Sequence, residues 1–460
     1  MMHSPLPRTT QRMLPRAHGA PGIPPSRRSV LTFGAAALAA AVGLTGCSSA
    51  LPQADVGAAS FGQNPSGRIR FWCRGVAFTP AQLIVDKYHE AQSAVRVDLT
   101  ILPEGQMTTK LATAIRSGSV PDLVAPDSVT TPVFSSREAL TDLTDLIEAL
   151  PYSGSLNQPL LDVASYQGRR YGFPAMSNVS QLFWNKDLYE RAGLDLDAGP
   201  TNFDEYLAHA DALRSVNGIS GVTFTGNSAG ILGYVVQPHF WADQSPFYDG
   251  PVGEQYATIL GNDPLRRTLE LYGRFHREGL AQPGAAADAG TAWGQDFVNG
   301  TVGLFPGSYD LVVANAEPDL LGRLGVSAFP GPDGNVSQFS GGAVLSIPRG
   351  AENPGAAWDF IKFVGEIEQQ EELAALGWYP VRSDVLDTGF REDFPLMVPG
   401  VERMNEGFAS PTSAYQQLTN AVQSPWLAMF RAAVFTDEPL DSVLERAQTE
   451  TQRVLEVNQA

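Results

Sequence analysis

The chain has 460 residues, and its 49 acidic residues outnumber its 31 lysines and arginines, giving a formal net charge of −18 at pH 7. A chain this acidic repels phosphate backbones and anionic headgroups, which argues against nucleic acid as a partner. Its length is enough to bury a large core and to form two lobes or domains.

The N-terminal segment has the features of an export signal. Residues 1–46 hold five arginines and no acidic residue. The pair Arg27-Arg28 resembles a twin-arginine signal, although the general export route stays open. The apolar stretch at 31–44 is shorter than the roughly 20 residues of a membrane span. Leu44-Thr45-Gly46-Cys47 resembles a bacterial lipobox, so we expect cleavage before Cys47 and its lipidation.

This processing would leave 26 basic against 49 acidic residues, a formal charge of −23. A lipidated Cys47 cannot pair with Cys73, the second of the two cysteines, so no disulfide framework is expected. Residues 47–66 are small, polar and rich in Gly and Pro, as in a flexible tether. We therefore expect an extracytoplasmic body anchored to the cell membrane by lipid.

From residue 68 the pattern alternates between strands and helices. Strands are predicted at 68–73, 95–102 and 122–125, with helices at 80–90 and 107–116 between them. Such alternation is typical of a mostly parallel α/β sheet, in which ligands bind beyond the carboxyl ends of strands. The later predicted elements are strands at 221–224 and 302–305 and helices at 202–216, 354–364 and 440–457.

Several short motifs, in order and over nearly the whole chain from residue 67, resemble one family. Tyr171-Gly172-Phe173-Pro174 precedes Leu182-Phe183-Trp184-Asn185-Lys186-Asp187-Leu188. The other matching segments are Ala192-Gly193-Leu194, Phe203-Asp204-Glu205, Phe297-Val298-Asn299-Gly300, Val302-Gly303-Leu304-Phe305, Gly307-Ser308-Tyr309, Phe329-Pro330-Gly331-Pro332-Asp333-Gly334, Gly341-Gly342, Ala356-Ala357-Trp358-Asp359-Phe360-Ile361 and Gly377-Trp378-Tyr379-Pro380-Val381-Arg382. The pattern is similar to that of the sugar-binding extracellular solute-binding proteins of ABC importers, the family that includes maltose-binding protein.

The resemblance implies an α/β, two-lobed periplasmic-binding-protein fold of class II, with a ligand cleft between hinged lobes. We place lobe 1 at 67–178 plus 323–368 and lobe 2 at 179–322 plus 369–460. The implied function is capture of a solute, without chemistry or cofactor, and its delivery to separate permease subunits. The protein is expected to be a monomer.

The resemblance also indicates ligand-binding residues. Tyr309 and Trp426 fall where maltose-binding protein has stacking aromatic residues, and Tyr234 falls at a third such place, with Trp241 just beyond. Asn178 stands where that protein has a ligand-binding Glu, which argues against maltodextrin itself. Aromatic rings suit the apolar faces of a pyranose, and polar side chains suit its hydroxyls.

The remaining candidates each have two interpretations. Arg74 follows the first predicted strand and could hold a hydroxyl or acidic group, or be a solvated surface residue. Asp127 follows the third strand and could accept from hydroxyls or cap the next segment. Trp378 lies on a Gly-rich turn and Gly341 within a matching Gly-Gly pair. Trp184 and Trp358 are assigned to the core, and Trp293 is left open.

An oligosaccharide is the expected ligand, with a polyol or glycerol phosphate as the alternative. A phosphate ligand would need a cationic side chain in the cleft, and Arg74 is the cation that the sequence places near it. The competing class is a surface-anchored hydrolase, because Gly226-Asn227-Ser228-Ala229-Gly230 fits a nucleophile motif, with Asp243 and His276 as partners. Ile231 to Tyr234, with its glycine, predicts a poor helix after that motif. No single carboxylate pair indicates a glycosidase. The histidines lack metal-site spacing, so no metal is expected.

Overall fold

The computed structural model describes residues 61, 65–291, 293–409 and 411–459. The predicted signal peptide, lipidated Cys47 and most of the tether lie outside these residues. The described residues belong to one compact unit. Within them, no helix is long and apolar enough to cross a membrane.

The fold mixes helices with short strands. The strands are β1 (Gly67–Arg74), β2 (Val95–Leu102), β3 (Leu123–Ala125), β4 (Ser165–Tyr166), β5 (Arg169–Arg170), β6 (Phe173–Asn185), β7 (Ser220–Val222), β8 (Tyr248–Asp249), β9 (Tyr256–Ala257), β10 (Val302–Ser308), β11 (Leu324–Ser327), β12 (Phe329–Pro330), β13 (Val336–Ser337) and β14 (Ser340–Leu345). The helices are α1 (Phe78–Ala91), α2 (Met107–Ser117), α3 (Pro132–Ser135), α4 (Thr144–Glu148), α5 (Gln158–Val163), α6 (Lys186–Ala192), α7 (Phe203–Arg214), α8 (Ala229–Trp241), α9 (Asp263–Arg277), α10 (Gln295–Val298), α11 (Tyr309–Asn315), α12 (Pro318–Leu321), α13 (Pro354–Val364), α14 (Ile367–Ala375), α15 (Phe390–Asp393), α16 (Val398–Glu402), α17 (Pro425–Phe435) and α18 (Leu440–Gln459).

The predicted βαβ alternation at the start of the body is confirmed. β1 pairs in parallel with β2 on one side and with β3 on the other. The connecting helices α1 and α2 bury apolar residues such as Ile84 and Leu111, because each repeats its apolar positions at helical spacing. β14 continues this layer beside β3 through the antiparallel bridges Val124–Ser346 and Asp127–Ala343.

One long strand, β6, takes part in the two large β-layers of the described residues, which also contain three two-stranded sheets. Its first half, up to Val179, pairs antiparallel with β14. Its second half, from Ser180, pairs antiparallel with β10 and β11. β10 also pairs in parallel with β7, which completes the second sheet. The chain therefore passes from one sheet to the other between Val179 and Ser180.

Each sheet has its own hydrophobic core. The first core contains apolar residues of β1 to β3 and α13, for example Phe71 and Phe360. The second core contains residues of α7, α8, α9 and α17, for example Tyr272 and Phe430. The molecule thus has the two-lobed α/β architecture that the sequence predicts.

The packing bears on where the lobes begin and end. β11 pairs with the second half of β6, and Phe329 lies in the second core. Leu373 and Val381 lie in the first core. We therefore propose lobes of 65–179 plus 340–409 and 180–339 plus 414–459, with later boundaries than the predicted ones at 323 and 369.

Candidate functional site

A cleft of about 680 Å³ lies where the carboxyl ends of β1, β3 and β10 meet the crossing of β6. Residues from both sheets line it, as expected for ligands that bind beyond strand ends. Its volume is in the range of sites for small organic molecules. The polar and aromatic side chains that line it are Arg74, Thr79, Asp127, Asn178, Tyr234, Asp310, Phe339, Trp378, Tyr415 and Asn420.

An ion pair holds one end of the cleft. Arg74 is only 6% exposed, and its Nη1 donates to Oδ2 of Asp127 at 2.9 Å. Its Nη2 donates to the carbonyl oxygen of Gly342 at 3.3 Å. Gly342 has a φ of +139°, and a side chain there would meet the carbonyl oxygen of Met176 at 2.2 Å, so only glycine fits. The guanidinium is thereby fixed against backbone and carboxylate.

A hydrogen-bonded chain of three side chains crosses the cleft. Tyr234 on α8 donates its hydroxyl proton to Oδ1 of Asn178. Nδ2 of Asn178 then donates to Oδ1 of Asp310 at 3.1 Å. Burial, helped by the charge of Asp310, raises the pKa of Tyr234 well above its usual value of 10, so the phenol stays a proton donor. Asn178 lies next to the crossing point of β6, and the three hydrogen-bonded side chains therefore join this strand to α8 and α11.

Aromatic rings border these polar groups. Tyr234 packs against Phe339 with ring centroids 5.2 Å apart. Trp378 is half-buried and follows Gly377, whose φ of +88° suits glycine. A Cβ atom on Gly377 would stand 3.2 Å from the Cβ atom of Asp310, so this turn runs directly beside that carboxylate. The cleft therefore offers aromatic rings together with a hydrogen-bond acceptor.

The structure brings together six of the nine ligand residues predicted from sequence, and the other three lie elsewhere. The six in the cleft lining are Arg74, Asp127, Asn178, Tyr234, Gly341 and Trp378. Tyr309 is half-buried, with its ring edge-on to Tyr379 at 6.2 Å. Trp241 is 4% exposed and lines a separate groove of about 760 Å³ with Phe408.

Trp426 has no exposed surface in this structure. It packs against Phe240, Phe247 and Phe430 with centroid distances of 5.9 to 6.0 Å. A sugar cannot reach a ring enclosed in this way. Trp426 therefore belongs to the second core in this structure, whereas the resemblance implied a sugar-stacking position.

Five of the polar and aromatic lining residues escaped the sequence reasoning, namely Thr79, Asp310, Phe339, Tyr415 and Asn420. Asp310 directly follows the Gly307-Ser308-Tyr309 motif at the end of β10, and the strand-end rule would have selected it. Tyr415 and Asn420 flank or end a π-helical turn at Gln416–Asn420, which has no signal in a single sequence. Trp184 and Trp358 are 4% and 6% exposed, which confirms their assignment to the core.

The alternative catalytic set does not assemble. A helix, α8, does begin right after Ser228, contrary to the expectation of a poor helix start. However, Asp243 accepts from Asn335, and the ring of His276 packs edge-on against Phe435. Among the described residues, no hydrogen bond joins Ser228, Asp243 and His276. The same residues contain no group of three or more His, Cys, Asp or Glu placed to hold a metal ion.

The two-lobed fold and its polar, aromatic cleft define a ligand-binding protein of the periplasmic-binding type. The chain belongs to the family of bacterial extracellular solute-binding proteins, which it matches over residues 76–371. It is a solute-binding protein of the kind that delivers small molecules to ABC permeases, which places it outside the cytoplasm.

Known proteins that resemble the chain bind different solutes. The arabinooligosaccharide-binding protein of Bacillus subtilis is 26% identical over 302 residues, 63% of this chain and 67% of the relative. The sugar-binding protein MalE of Xanthomonas citri shares the fold with a TM-score of 0.76 at 18% identity, over 85% of this chain and 98% of its own. UgpB of Mycobacterium tuberculosis, solved in complex with glycerophosphocholine, shares the fold with a TM-score of 0.67 at 21% identity. The match covers 85% of this chain and 99% of UgpB.

Proposed function

We propose that this protein is the lipid-anchored substrate-binding subunit of a carbohydrate ABC importer. It captures an oligosaccharide in the cleft between its lobes and presents it, chemically unchanged, to the permease. The observation that carries the proposal is the cleft lining, which combines the Trp378 ring with the Asp310 carboxylate and the hydrogen-bonded Tyr234–Asn178 pair.

The chemistry of a sugar explains why this lining supports the proposal. A pyranose presents C–H faces that pack on aromatic rings and a rim of hydroxyls that need partners when buried. Asp310, Asn178 and Asn420 provide acceptors and donors for such a rim. The similarity to an arabinooligosaccharide-binding protein supports the same ligand class.

A phosphorylated glycerol compound is the second ligand class, because Arg74 lines the cleft and UgpB shares the fold. The ion pair with Asp127 weighs against it, since the guanidinium charge is already balanced. A polyol needs hydrogen-bond partners but no aromatic face. An oligosaccharide uses both, which favours it over the two alternatives.

The anchor is the part of the proposal that rests on Cys47 in the lipobox-like motif. Lipid attachment would confine the body to the membrane surface where the permease works. Detergent phase partitioning of the expressed protein measures this directly: the natural chain should enter the detergent phase, and Cys47→Ala should stay in water. Equal partitioning of the two proteins would contradict the anchor.

A thermal-shift screen tests the ligand. The protein is the chain from residue 47 with Cys47→Ser, and the panel contains arabino- and maltooligosaccharides, lactose, polyols, sn-glycerol 3-phosphate and glycerophosphocholine. Binding at a hundred times the dissociation constant stabilises the native state by about 2.7 kcal/mol. The proposal predicts a saccharide that raises the melting temperature and is recovered intact by chromatography. A consumed ligand, or a response to phosphorylated compounds alone, would contradict it.

A further inference from the structure

The charges in the cleft do not balance. Among the described lining residues the charged side chains are Arg74, Asp127 and Asp310. Arg74 and Asp127 form an ion pair at 2.9 Å and offset one another. Asp310 has no cationic partner within the described part of the chain, so the lining carries one uncompensated negative charge.

The carboxylate of Asp310 is held in place by neighbouring side chains. Its Oδ1 accepts from Nδ2 of Asn178, whose Oδ1 accepts in turn from the Tyr234 hydroxyl. A Cβ atom added to Gly377 would stand 3.2 Å from the Cα and Cβ atoms of Asp310, so the backbone of that turn passes close to this residue. Its Oδ2 accepts no hydrogen bond from the described residues, while the residue lines the cleft. An oriented acceptor is thus available to a ligand in the cleft that Trp378 also lines.

We infer that Asp310 is the specificity-determining residue of the cleft, selecting ligands that donate hydrogen bonds and are not anionic. The inference rests on the proposed binding function. A hydroxyl or ammonium group of the ligand donates to Oδ2, and such charge-assisted bonds are stronger than neutral ones. A carboxylate or phosphate at the same place meets a like charge and is repelled by it. Asn178 and Tyr234 act as positioning residues because they fix the acceptor.

Titration calorimetry on the chain from residue 47 with Cys47→Ser provides the test. The probes are the neutral saccharide with the strongest thermal shift, its uronic acid, its 2-amino-2-deoxy counterpart and sn-glycerol 3-phosphate. The wild type should bind the neutral and amino forms at least about tenfold more tightly than either anion, the effect expected of one charged hydrogen bond. Asp310→Asn should weaken binding of the neutral saccharide about tenfold. It should also reduce the ratio of the affinity for the neutral saccharide to the affinity for the uronic acid.

Two controls separate specificity from folding. Asp211→Asn removes the same charge from the exposed face of α7. It should change neither the affinity for the neutral saccharide nor the ratio of that affinity to the affinity for the uronic acid. If Asp310→Asn has a lower melting temperature than the wild type, the same affinities are measured with Asp310→Ser instead. Tyr234→Phe should weaken the neutral form, and its effect should largely vanish in the Asp310→Asn background, because a positioning residue acts through the acceptor.

The outcomes distinguish the two claims. If an anionic probe binds the wild type as tightly as the neutral saccharide, or if Asp310→Asn leaves the ratio unchanged, the inference is wrong while the binding function stands. If the losses of binding free energy caused by Tyr234→Phe and Asp310→Asn are fully additive in the double variant, Tyr234 is not a positioning residue. If no saccharide binds the wild type, the proposed function fails and the inference falls with it.

Discussion

Replacing Trp426 by alanine decides between a ligand role and a core role for this residue. The ring is completely enclosed and packs against three phenylalanines at centroid distances of 5.9 to 6.0 Å. Truncation of a buried Trp to Ala costs about 3–5 kcal/mol through lost contacts and the cavity left behind. We therefore expect a large loss of stability in the ligand-free protein.

One feature reduces that loss. The Nε1–H group of Trp426 is buried and has no hydrogen-bond partner among the described residues. An unsatisfied buried donor costs about 1–3 kcal/mol, and the alanine variant no longer carries it. Subtracting the midpoints of these two ranges leaves a net destabilisation of about 2 kcal/mol. Trp426→Phe removes the same donor but keeps a ring, so its cost should stay below about 1.5 kcal/mol.

Urea unfolding followed by circular dichroism measures both variants, with the midpoint shift converted through the slope of the wild type. Calorimetry with the saccharide from the screen then measures binding in the folded state. A Trp426→Ala protein as stable as the wild type that no longer binds saccharide would refute the core assignment. It would restore the stacking role indicated by the sequence.

Two further predictions concern stability. His239 is buried, and burial lowers its pKa to about 4, below the value near 6.5 in the unfolded chain. The contribution of the neutral imidazole to folding stability is therefore intact above pH 6.5. As the pH falls toward 4, the free energy of unfolding should drop by about 3 kcal/mol. His239→Gln should flatten this part of the urea stability profile, and an unchanged slope would contradict the assignment. Asp122 is 2% exposed and accepts the backbone N–H groups of Arg70, Glu352 and Asn353 at 2.9 to 3.0 Å. Asp122→Ala should cost about 3 kcal/mol or more in urea unfolding and Asp122→Asn clearly less, because the amide keeps one acceptor. Equal losses of stability in Asp122→Ala and Asp122→Asn would show that the hydrogen bonds accepted by the carboxylate are not the source of its contribution.

The sequence predicted several elements closely because their patterns are local. The predicted strand at 95–102 and helix at 354–364 agree with β2 and α13. The strand predicted at 221–224 instead ends at Val222, where β7 stops pairing with β10. Strand ends depend on the partner strand, and a single sequence does not contain that information.

For the cleft, residues at strand ends were predictable, whereas only Tyr234 and Trp378 of the predicted aromatic residues line it. Arg74 and Asp127 line it because they follow parallel strands, which is a rule of topology. Trp426 and Trp241 looked equally suitable by residue type, yet both are buried. Tyr415 reaches the cleft from a turn far along the chain. Whether a ring faces a ligand or a core depends on long-range packing, which residue type alone does not reveal.

The continuity of β6 has a consequence for how the molecule melts. Its 13 residues supply Ala175 and Met176 to the first core and Leu182 and Trp184 to the second. Loss of either core therefore frees one end of a hydrogen-bond ladder that the other core needs. The two halves should lose structure together, so calorimetric melting should show one cooperative transition, and a ligand held by both halves should shift it as a whole.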